Sequence, residues 1–119
     1  MNNYTISLKI ITSDKTVVQR LFNKNKIITL TDGLTIKLQS QSNKELDSII
    51  NASDDLIKNY NSDIGITLIS NIIAAWLVYQ LTGKQVNLRI NKKEIPLRKT
   101  LIRNLIEDEL RSSNLFKNH

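Results

Sequence analysis

Hydrophobic and polar residues alternate along several stretches of the chain, and a period of two predicts β-strands with one buried face. The first such stretch covers residues 5–12, where Ile6, Leu8 and Ile10 alternate with polar residues. Ser13 and Asp14 then offer helix caps, and apolar side chains recur at helical spacing across residues 17–22. This part of the chain is predicted to form a strand followed by a short helix.

The alternation in residues 26–39 predicts a β-hairpin. A loop of three residues, 31–33, places Leu30 opposite Leu34 and keeps the apolar side chains of both strands on one face. The same loop puts Gly33 at the left-handed position that such turns need, which glycine adopts without a steric cost. We therefore expect a three-residue loop at this hairpin.

A second hairpin is predicted from residues 86–90 and 95–97, which alternate on either side of a turn. A loop of two or four residues keeps their apolar side chains on one face, with Ile90 opposite Ile95. Pro96 has no N–H to donate to a neighbouring strand, so this strand is expected at an edge of the sheet.

Two further segments have the apolar spacing of helices. Ser42 and Glu45 match a capping box, in which two side chains bond free backbone N–H groups at a helix start. Apolar residues then continue at near-helical spacing over residues 46–60. A last helix is predicted to begin near Thr100, with its apolar side formed by leucines and isoleucines of residues 101–110.

A long apolar helix is predicted after a break at residues 61–63, because residues 64–83 contain no charged side chain. Its length suffices to cross a bilayer. The elements on both sides, however, have apolar faces that need a partner, and a helix that is apolar nearly all round provides one. We therefore expect residues 64–82 to be the buried spine of the domain, closed by Gly83. Any uncovered part of the helix would be an interface with another protein or a second copy.

Together these elements predict one α+β domain over residues 1–119, in the order β-α-β-β-α-α-β-β-α, with antiparallel hairpins packed against helices. A polar tail is expected from about residue 112. Residues 1–4 are polar, so we expect no secretory signal and a cytoplasmic protein.

The net charge of +6 is concentrated in one segment of the chain. Residues 84–103 carry seven basic side chains and one acidic side chain, which accounts for the whole excess. Such a segment is typical of a solvated surface or of a contact with an anionic partner. We expect one basic face, and its candidate partner-binding residues are Lys84, Arg89, Lys92, Lys93, Arg98, Lys99 and Arg103.

Composition excludes several kinds of catalytic and metal site. The chain has no cysteine and its one histidine is His119, so it lacks the residues for a thiolate site, a Ser-His-Asp triad or a histidine-based zinc site. Asp54 and Asp55 are adjacent, so they diverge on a helix and form no carboxylate pair. Lys84 follows a glycine but lacks the other residues of a phosphate-binding loop. We predict no enzymatic activity, no cofactor and no bound metal.

Residues 72–110 combine an apolar helix that contains Ala74-Ala75-Trp76-Leu77, a short hairpin and a helix rich in leucine and isoleucine. The hairpin strands read Val86-x-Leu88-x-Ile90 and Glu94-Ile95-x-Leu97. This arrangement resembles the effector-associated constant component proteins of bacterial conflict systems. The resemblance implies an accessory or adaptor role beside an effector, and it carries over no catalytic residue.

The sequence thus favours a small non-enzymatic adaptor module that binds a protein partner or a second copy of itself, in a bacterial defence, phage or other mobile-element setting. One alternative is contact with the phosphate backbone of a nucleic acid through the basic segment 84–103. No aromatic side chain lies between Lys84 and Phe116, so base stacking is not expected there. The other alternative is a single membrane span at residues 64–83.

Overall fold

A computed structural model of the chain describes residues 3–22, 26–58 and 62–112. These residues form an α+β fold, which confirms the predicted fold class. The strands are β1 (Asn3–Ile11), β2 (Ile27–Thr31), β3 (Leu34–Gln41), β4 (Glu45–Ser53), β5 (Asn87–Ile90) and β6 (Lys93–Ile95). The helices are α1 (Lys15–Leu21), α2 (Asp54–Lys58), α3 (Ser62–Leu81) and α4 (Lys99–Arg111). The tail predicted beyond residue 112 and Asn61 of the predicted break lie outside the described residues.

The strands form one antiparallel sheet in the order β2-β3-β4-β1-β5-β6. β1 lies in the interior of the sheet, between β4 and β5. Successive side chains of a strand point to opposite faces, so the pairing register decides which residues share a face. Leu8 lies opposite Ile90, and Ile10 lies opposite Leu46, and all four side chains are buried.

The described helices cover one face of this sheet. Their buried side chains belong to the same core as those of the strands, and α3 packs against α1, α2 and α4. The core positions of α3 are Ile66, Ile69, Ile73, Leu77 and Leu81. The opposite face of the sheet is half-buried or exposed at every second strand position. We call it the helix-free face, and its central strand β1 contributes Thr5, Ser7, Lys9 and Ile11.

α3 is the predicted apolar spine, and it ends at Leu81, shortly before Gly83. The φ of Gly83 is +82°, the left-handed conformation expected after a helix end. By length and composition alone, Asp63–Leu81 is long and apolar enough to cross a membrane. Its buried side chains lie in the common core with the sheet, so α3 is packed as a core helix.

The helix predicted over residues 46–60 is wrong for most of its length, because β4 occupies Glu45–Ser53. Leu46 and Ile50 satisfy the helical spacing, but with Ser48 between them they also satisfy the spacing of a strand. Ser48 is only 3 % exposed, and its Oγ donates a hydrogen bond of 3.2 Å to the carbonyl of Leu8. A polar residue at a buried position therefore hid the alternation, and the predicted element order lacks β4.

The capping contact predicted between Ser42 and Glu45 exists, but in a hairpin turn. The Oγ of Ser42 accepts the N–H of Glu45 at 3.2 Å, as in a capping box. The N–H of Ser42 also donates to the carbonyl of Glu45 at 2.9 Å, which closes the turn between β3 and β4. The same side chain–backbone bond thus serves a turn as well as a helix start.

The three-residue loop predicted for the β2–β3 hairpin is wrong. Thr31 pairs with Leu34, so the turn has two residues, Asp32 and Gly33. Leu30 is an extra residue in β2, where the register shifts, and this bulge keeps the apolar side chains on one face. Gly33 has the predicted positive φ, +84°.

The β5–β6 hairpin uses the shorter of the two loops that the alternation allows. Its turn is Asn91-Lys92, and Ile90 pairs with Lys93. The predicted pairing of Ile90 with Ile95 is therefore wrong, since it needs a four-residue loop. β6 lies at an edge of the sheet, as predicted from Pro96.

Candidate partner-binding surface

Lys9 lies near the middle of the helix-free face, where the register brings charged residues of three strands together. It pairs with Asp47 of β4 on one side and with Arg89 of β5 on the other. The Nζ atom of Lys9 lies 3.6 Å from Oδ1 of Asp47 and 3.5 Å from Oε2 of Glu45. Two carboxylates therefore hold the Lys9 ammonium group beside Arg89.

A hollow of about 340 Å³ opens on the helix-free face beside these charges. It is bounded by side chains from β1, β3, β4, β5 and the β5–β6 turn. Ile49 gives it an apolar wall, and the amide of Gln39 reaches it from β3. Its charged lining residues are Lys9, Asp47, Arg89 and Lys92.

Lys92 reaches this hollow because the β5–β6 turn is fixed to β1. Asn91 and Lys92 have φ values of +47° and +69°, as in the two-residue turns that match the twist of a hairpin. Oδ1 of Asn91 accepts the N–H of Ser7 at 2.8 Å, and the N–H of Asn91 donates to the carbonyl of Ser7 at 2.9 Å. The pairing with β1 thus continues past β5 into the turn.

Lys93 does not join this surface, because it lies on the helix-covered face beside Ile90. Its Nζ lies 2.8 Å from Oε1 of Glu109 on α4. The hydrogen bond to Glu109 raises the pKa of Lys93 above its usual value, and the charges of Glu109 and Asp108 act in the same direction. Lys93 therefore joins β6 to α4.

Lys84 is engaged at the opposite end of β5. Its Nζ donates a hydrogen bond of 3.2 Å to Oγ1 of Thr16 and lies 3.9 Å from Oδ2 of Asp14. The hydrogen bonds that Asp14 accepts from Thr16 lower the pKa of the Asp14 carboxyl group, and the charge of Lys84 lowers it further. Lys84 thus ties the end of α3 to the start of α1.

The remaining predicted residues belong to the helix layer. Arg98 and Lys99 are exposed at the N-terminus of α4, and Arg98 occupies the N-cap position without a side-chain bond to the backbone. Nη2 of Arg103 donates to Oδ1 of Asn104 at 3.2 Å. The seven basic residues of the segment therefore lie at four places: the hollow, the contact between β6 and α4, the contact between the end of α3 and the start of α1, and α4 itself. Of these residues, Arg89 and Lys92 lie at the hollow.

The structure adds Lys9 to this surface, a residue that the charge count did not single out. Lys9 belongs to the part of the sequence whose charges balance. The alternation of residues 5–12 placed it on the outward face of a strand, but only the pairing of β1 with β5 places it beside Arg89.

Comparison with known protein families, with curated proteins and with solved structures finds no match to this chain. Within residues 3–22, 26–58 and 62–112, no three acidic or histidine side chains are grouped so as to hold a metal ion. Function is therefore inferred from the chemistry of the helix-free face.

Proposed function

We propose that this protein is a small non-enzymatic adaptor module that binds an acidic segment of a protein partner in the hollow of its helix-free face. The proposal is carried by the convergence of Lys9, Arg89 and Lys92 on this hollow. The three cations come from β1, β5 and the β5–β6 turn, and carboxylates of a partner would meet all of them at one place.

The mixed character of the hollow favours a protein over a nucleic acid. Asp47 and Ile49 line it together with the basic residues. A phosphate backbone has no apolar group to set against Ile49, whereas a peptide can place an apolar side chain on Ile49 and direct its carboxylates to Arg89 and Lys92. The aromatic side chains of the described residues lie in the core or on α3, so this part of the chain offers bases no stacking platform on the helix-free face.

The backbone of Lys92 gives independent support. Its φ of +69° lies in a region that costs a side-chain-bearing residue more than it costs glycine, and glycine is common at the second position of such turns. Backbone strain of this kind clusters at functional sites, where a particular side chain has to be presented. The turn presents an ammonium group at the rim of the hollow.

The adaptor role and its setting are supported by the resemblance of residues 72–110 to the effector-associated constant component proteins. That stretch includes β5 and the turn, and hence Arg89 and Lys92. A bacterial defence, phage or other mobile-element system is the setting that this resemblance implies.

The proposal is tested with two charge reversals of equal size. Arg89→Glu with Lys92→Glu alters the hollow, and Arg98→Glu with Lys99→Glu makes the same charge change at the start of α4. A fluorescent peptide of alternating glutamate and leucine is the probe, and binding is followed by anisotropy at ~50 mM salt, where electrostatic contacts are strong. We expect the first variant to weaken binding at least about tenfold and the second to leave it nearly unchanged. Equal losses in both variants would contradict the proposal, because net charge alone would then drive binding.

A second experiment locates the partner on the surface. A photo-crosslinking amino acid at Gln39 reports on the hollow, and the same group at Asn104 of α4 is the matched control. We expect proteins captured in the native host to be crosslinked through position 39 and not through position 104. Labelled DNA and RNA are tested in parallel, and binding tighter than that of the acidic peptide would favour nucleic acid as the ligand.

A further inference from the structure

Beyond Asp63 in its first turn, the outward side of α3 carries no charged side chain. The hollow on the helix-free face makes no use of this side of the helix. Ile64 and Tyr79 are 60 % and 72 % exposed. No charged residue occurs between them in the sequence, although surface helices normally turn charged side chains to solvent. We define the outward stripe of α3 as Ile64, Thr67, Leu68, Asn71, Ala75 and Tyr79, which are exposed or half-buried.

The neighbouring helices of the same layer follow the normal pattern. α1 exposes Lys15 and Arg20, and α4 exposes Lys99, Asp108 and Arg111. Within the described helix layer, the lack of charge is therefore a property of α3 beyond its first turn. Exposed uncharged surface of this extent marks a contact with another molecule.

The two ends of the stripe are complementary in shape. Near its N-terminal end, a shallow, open depression of about 390 Å³ is lined by Asp63, Ile64, Thr67, Leu68 and Asn71. Near its C-terminal end, the ring of Tyr79 projects into solvent. The two features are roughly 15–20 Å apart along the helix, at a rise of about 1.5 Å per residue. A second copy turned by 180° would place each Tyr79 ring against the other copy's depression.

The two ends are complementary in charge as well. At the N-terminal end, the side chain of Asp63 is 80 % exposed and holds Arg111 of α4, and a carboxylate accepts more than one guanidinium donor. At the C-terminal end, the guanidinium of Arg20 lies 5.7 Å from the centroid of the Tyr79 ring and donates to Oε1 of Gln80 at 3.1 Å. An antiparallel arrangement of two copies brings each Arg20 towards the other copy's Asp63. It also opposes the dipoles of the two α3 helices.

We propose that the outward stripe of α3 is a homodimer interface, in which two copies pack antiparallel about a two-fold axis between Asn71 and Ala75. The occupant is a second copy because the stripe matches itself when it is reversed, ring against depression and arginine against aspartate. A two-fold interface requires such self-complementarity. The helix-free face of each copy stays open in this dimer, since α3 lies on the other side of the sheet.

Sedimentation velocity of the chain of residues 1–119, measured over a concentration series, tests this interface. Ala75→Glu places a carboxylate of each copy near the axis, and we expect it to raise the dimer dissociation constant at least about tenfold. Asn104→Glu puts the same charge on an exposed position of α4, and we expect no change. Both positions are exposed, so both variants should fold, and thermal melting by circular dichroism checks this.

A charge exchange tests the antiparallel arrangement. Asp63→Arg is made together with Arg111→Asp, so that the ion pair within each copy is kept. Arg20→Asp alone and this pair of changes alone each bring like charges together across the interface, so each weakens the dimer. The variant that combines all three changes restores the contacts between copies with the opposite polarity, so dimerisation recovers. A contact elsewhere on the molecule would show no such recovery and would overturn the proposal.

Two further results would overturn it. One is a chain that stays monomeric up to about 1 mM, which would mean that the stripe has no useful affinity for itself. The other is co-sedimentation of the monomeric chain with vesicles of phosphatidylcholine and phosphatidylglycerol, lost in Ala75→Glu, which would assign the stripe to a lipid surface.

Discussion

Lys93 and Glu109 form an ion pair of 2.8 Å that joins the edge strand β6 to α4. β6 is only three residues long, and among the described strands it has a neighbour, β5, on one side only. A tie from this edge to the last helix holds the hairpin that carries Arg89 and Lys92, so the pair supports the candidate surface without being part of it.

This ion pair predicts how stability depends on pH. The pKa of Lys93 is raised in the folded state above its usual 10.5, so its contribution is fully present below pH 10.5 and is lost as the pH rises through the folded-state pKa. We expect Lys93→Gln to lower the melting temperature at neutral pH and to have a smaller effect in strongly alkaline buffer. Thermal melting across this range measures the difference.

Lys92→Gln is the control for this effect, since Lys92 precedes Lys93 in the sequence but lies at the helix-free hollow and not beside Glu109. We expect a smaller loss of melting temperature for this variant. Equal losses at the two positions would mean that the pair with Glu109 does not contribute.

Replacing each of two neighbouring isoleucines of β4, Ile49 and Ile50, by alanine should lower stability by unequal amounts. Ile50 is buried in the core, at 1 % exposure, whereas Ile49 lines the hollow on the helix-free face. We expect Ile50→Ala to reduce the free energy of unfolding by about 2–5 kcal/mol, and Ile49→Ala by about 1 kcal/mol or less. Urea denaturation measures both. Comparable losses would favour a helix in this segment, with both side chains on its apolar side.

The two glycines with positive φ, Gly33 and Gly83, should differ in the stability that an alanine substitution costs, because their surroundings differ. A Cβ at Gly33 would collide with Oγ of Ser53 and lie 3.2 Å from Cβ of Leu56, whereas a Cβ at Gly83 meets nothing within 4 Å. Gly83→Ala should cost about 1–2 kcal/mol, the strain of the left-handed conformation alone. Gly33→Ala should cost more, because the collision adds to the same strain. Equal losses in denaturant titrations would contradict this account.

Two substitutions at Asn91 separate the effect of backbone strain on stability from the effect of the hydrogen bond to Ser7. Asn91→Ala keeps the strain at positive φ and loses the exposed bond to the N–H of Ser7, so we expect a loss of about 0.5–1.5 kcal/mol. Asn91→Gly loses the same bond but removes the strain, so its loss should be smaller. Amide hydrogen exchange reports on the contact directly, and the Ser7 amide should exchange faster in both variants. Unchanged exchange would show that another group protects this amide.

Periodicity in the sequence was enough to predict the α+β class, the spine helix and both hairpins at residues 26–39 and 86–97. It failed where one pattern fits two structures. Leu46 and Ile50 are four residues apart, which suits a helix and a strand equally. The pairing of β4 with β1 makes this segment a strand, and it joins residues such as Ser48 and Leu8 that are 40 apart in the sequence. The bulge at Leu30 likewise permits the two-residue loop Asp32-Gly33. Alternation alone had excluded this loop, because without a bulge it places the apolar side chains of the two strands on opposite faces.

The candidate surface was only partly predictable, for a related reason. Arg89 and Lys92 lie in the segment that the charge count singled out, but their neighbour Lys9 is 80 residues away from Arg89 in the sequence. Lys84 and Lys93 lie in the same segment, yet Lys84 pairs with Asp14 at the start of α1 and Lys93 pairs with Glu109 of α4. A run of charge along a chain becomes a surface only once the register of the strands is known.

The interior position of β1 has a consequence for how the protein is made. β1 leaves the ribosome before the other described strands, but its second neighbour β5 ends only at Ile90. Until that residue has been synthesised, one side of β1 stays unpaired and Leu8 and Ile10 have no complete core to enter. Contacts of such long sequence separation slow folding, and exposed strand edges promote aggregation. A chain truncated before β5 should therefore be insoluble or depend on chaperones, even though it contains four of the six strands of the described sheet.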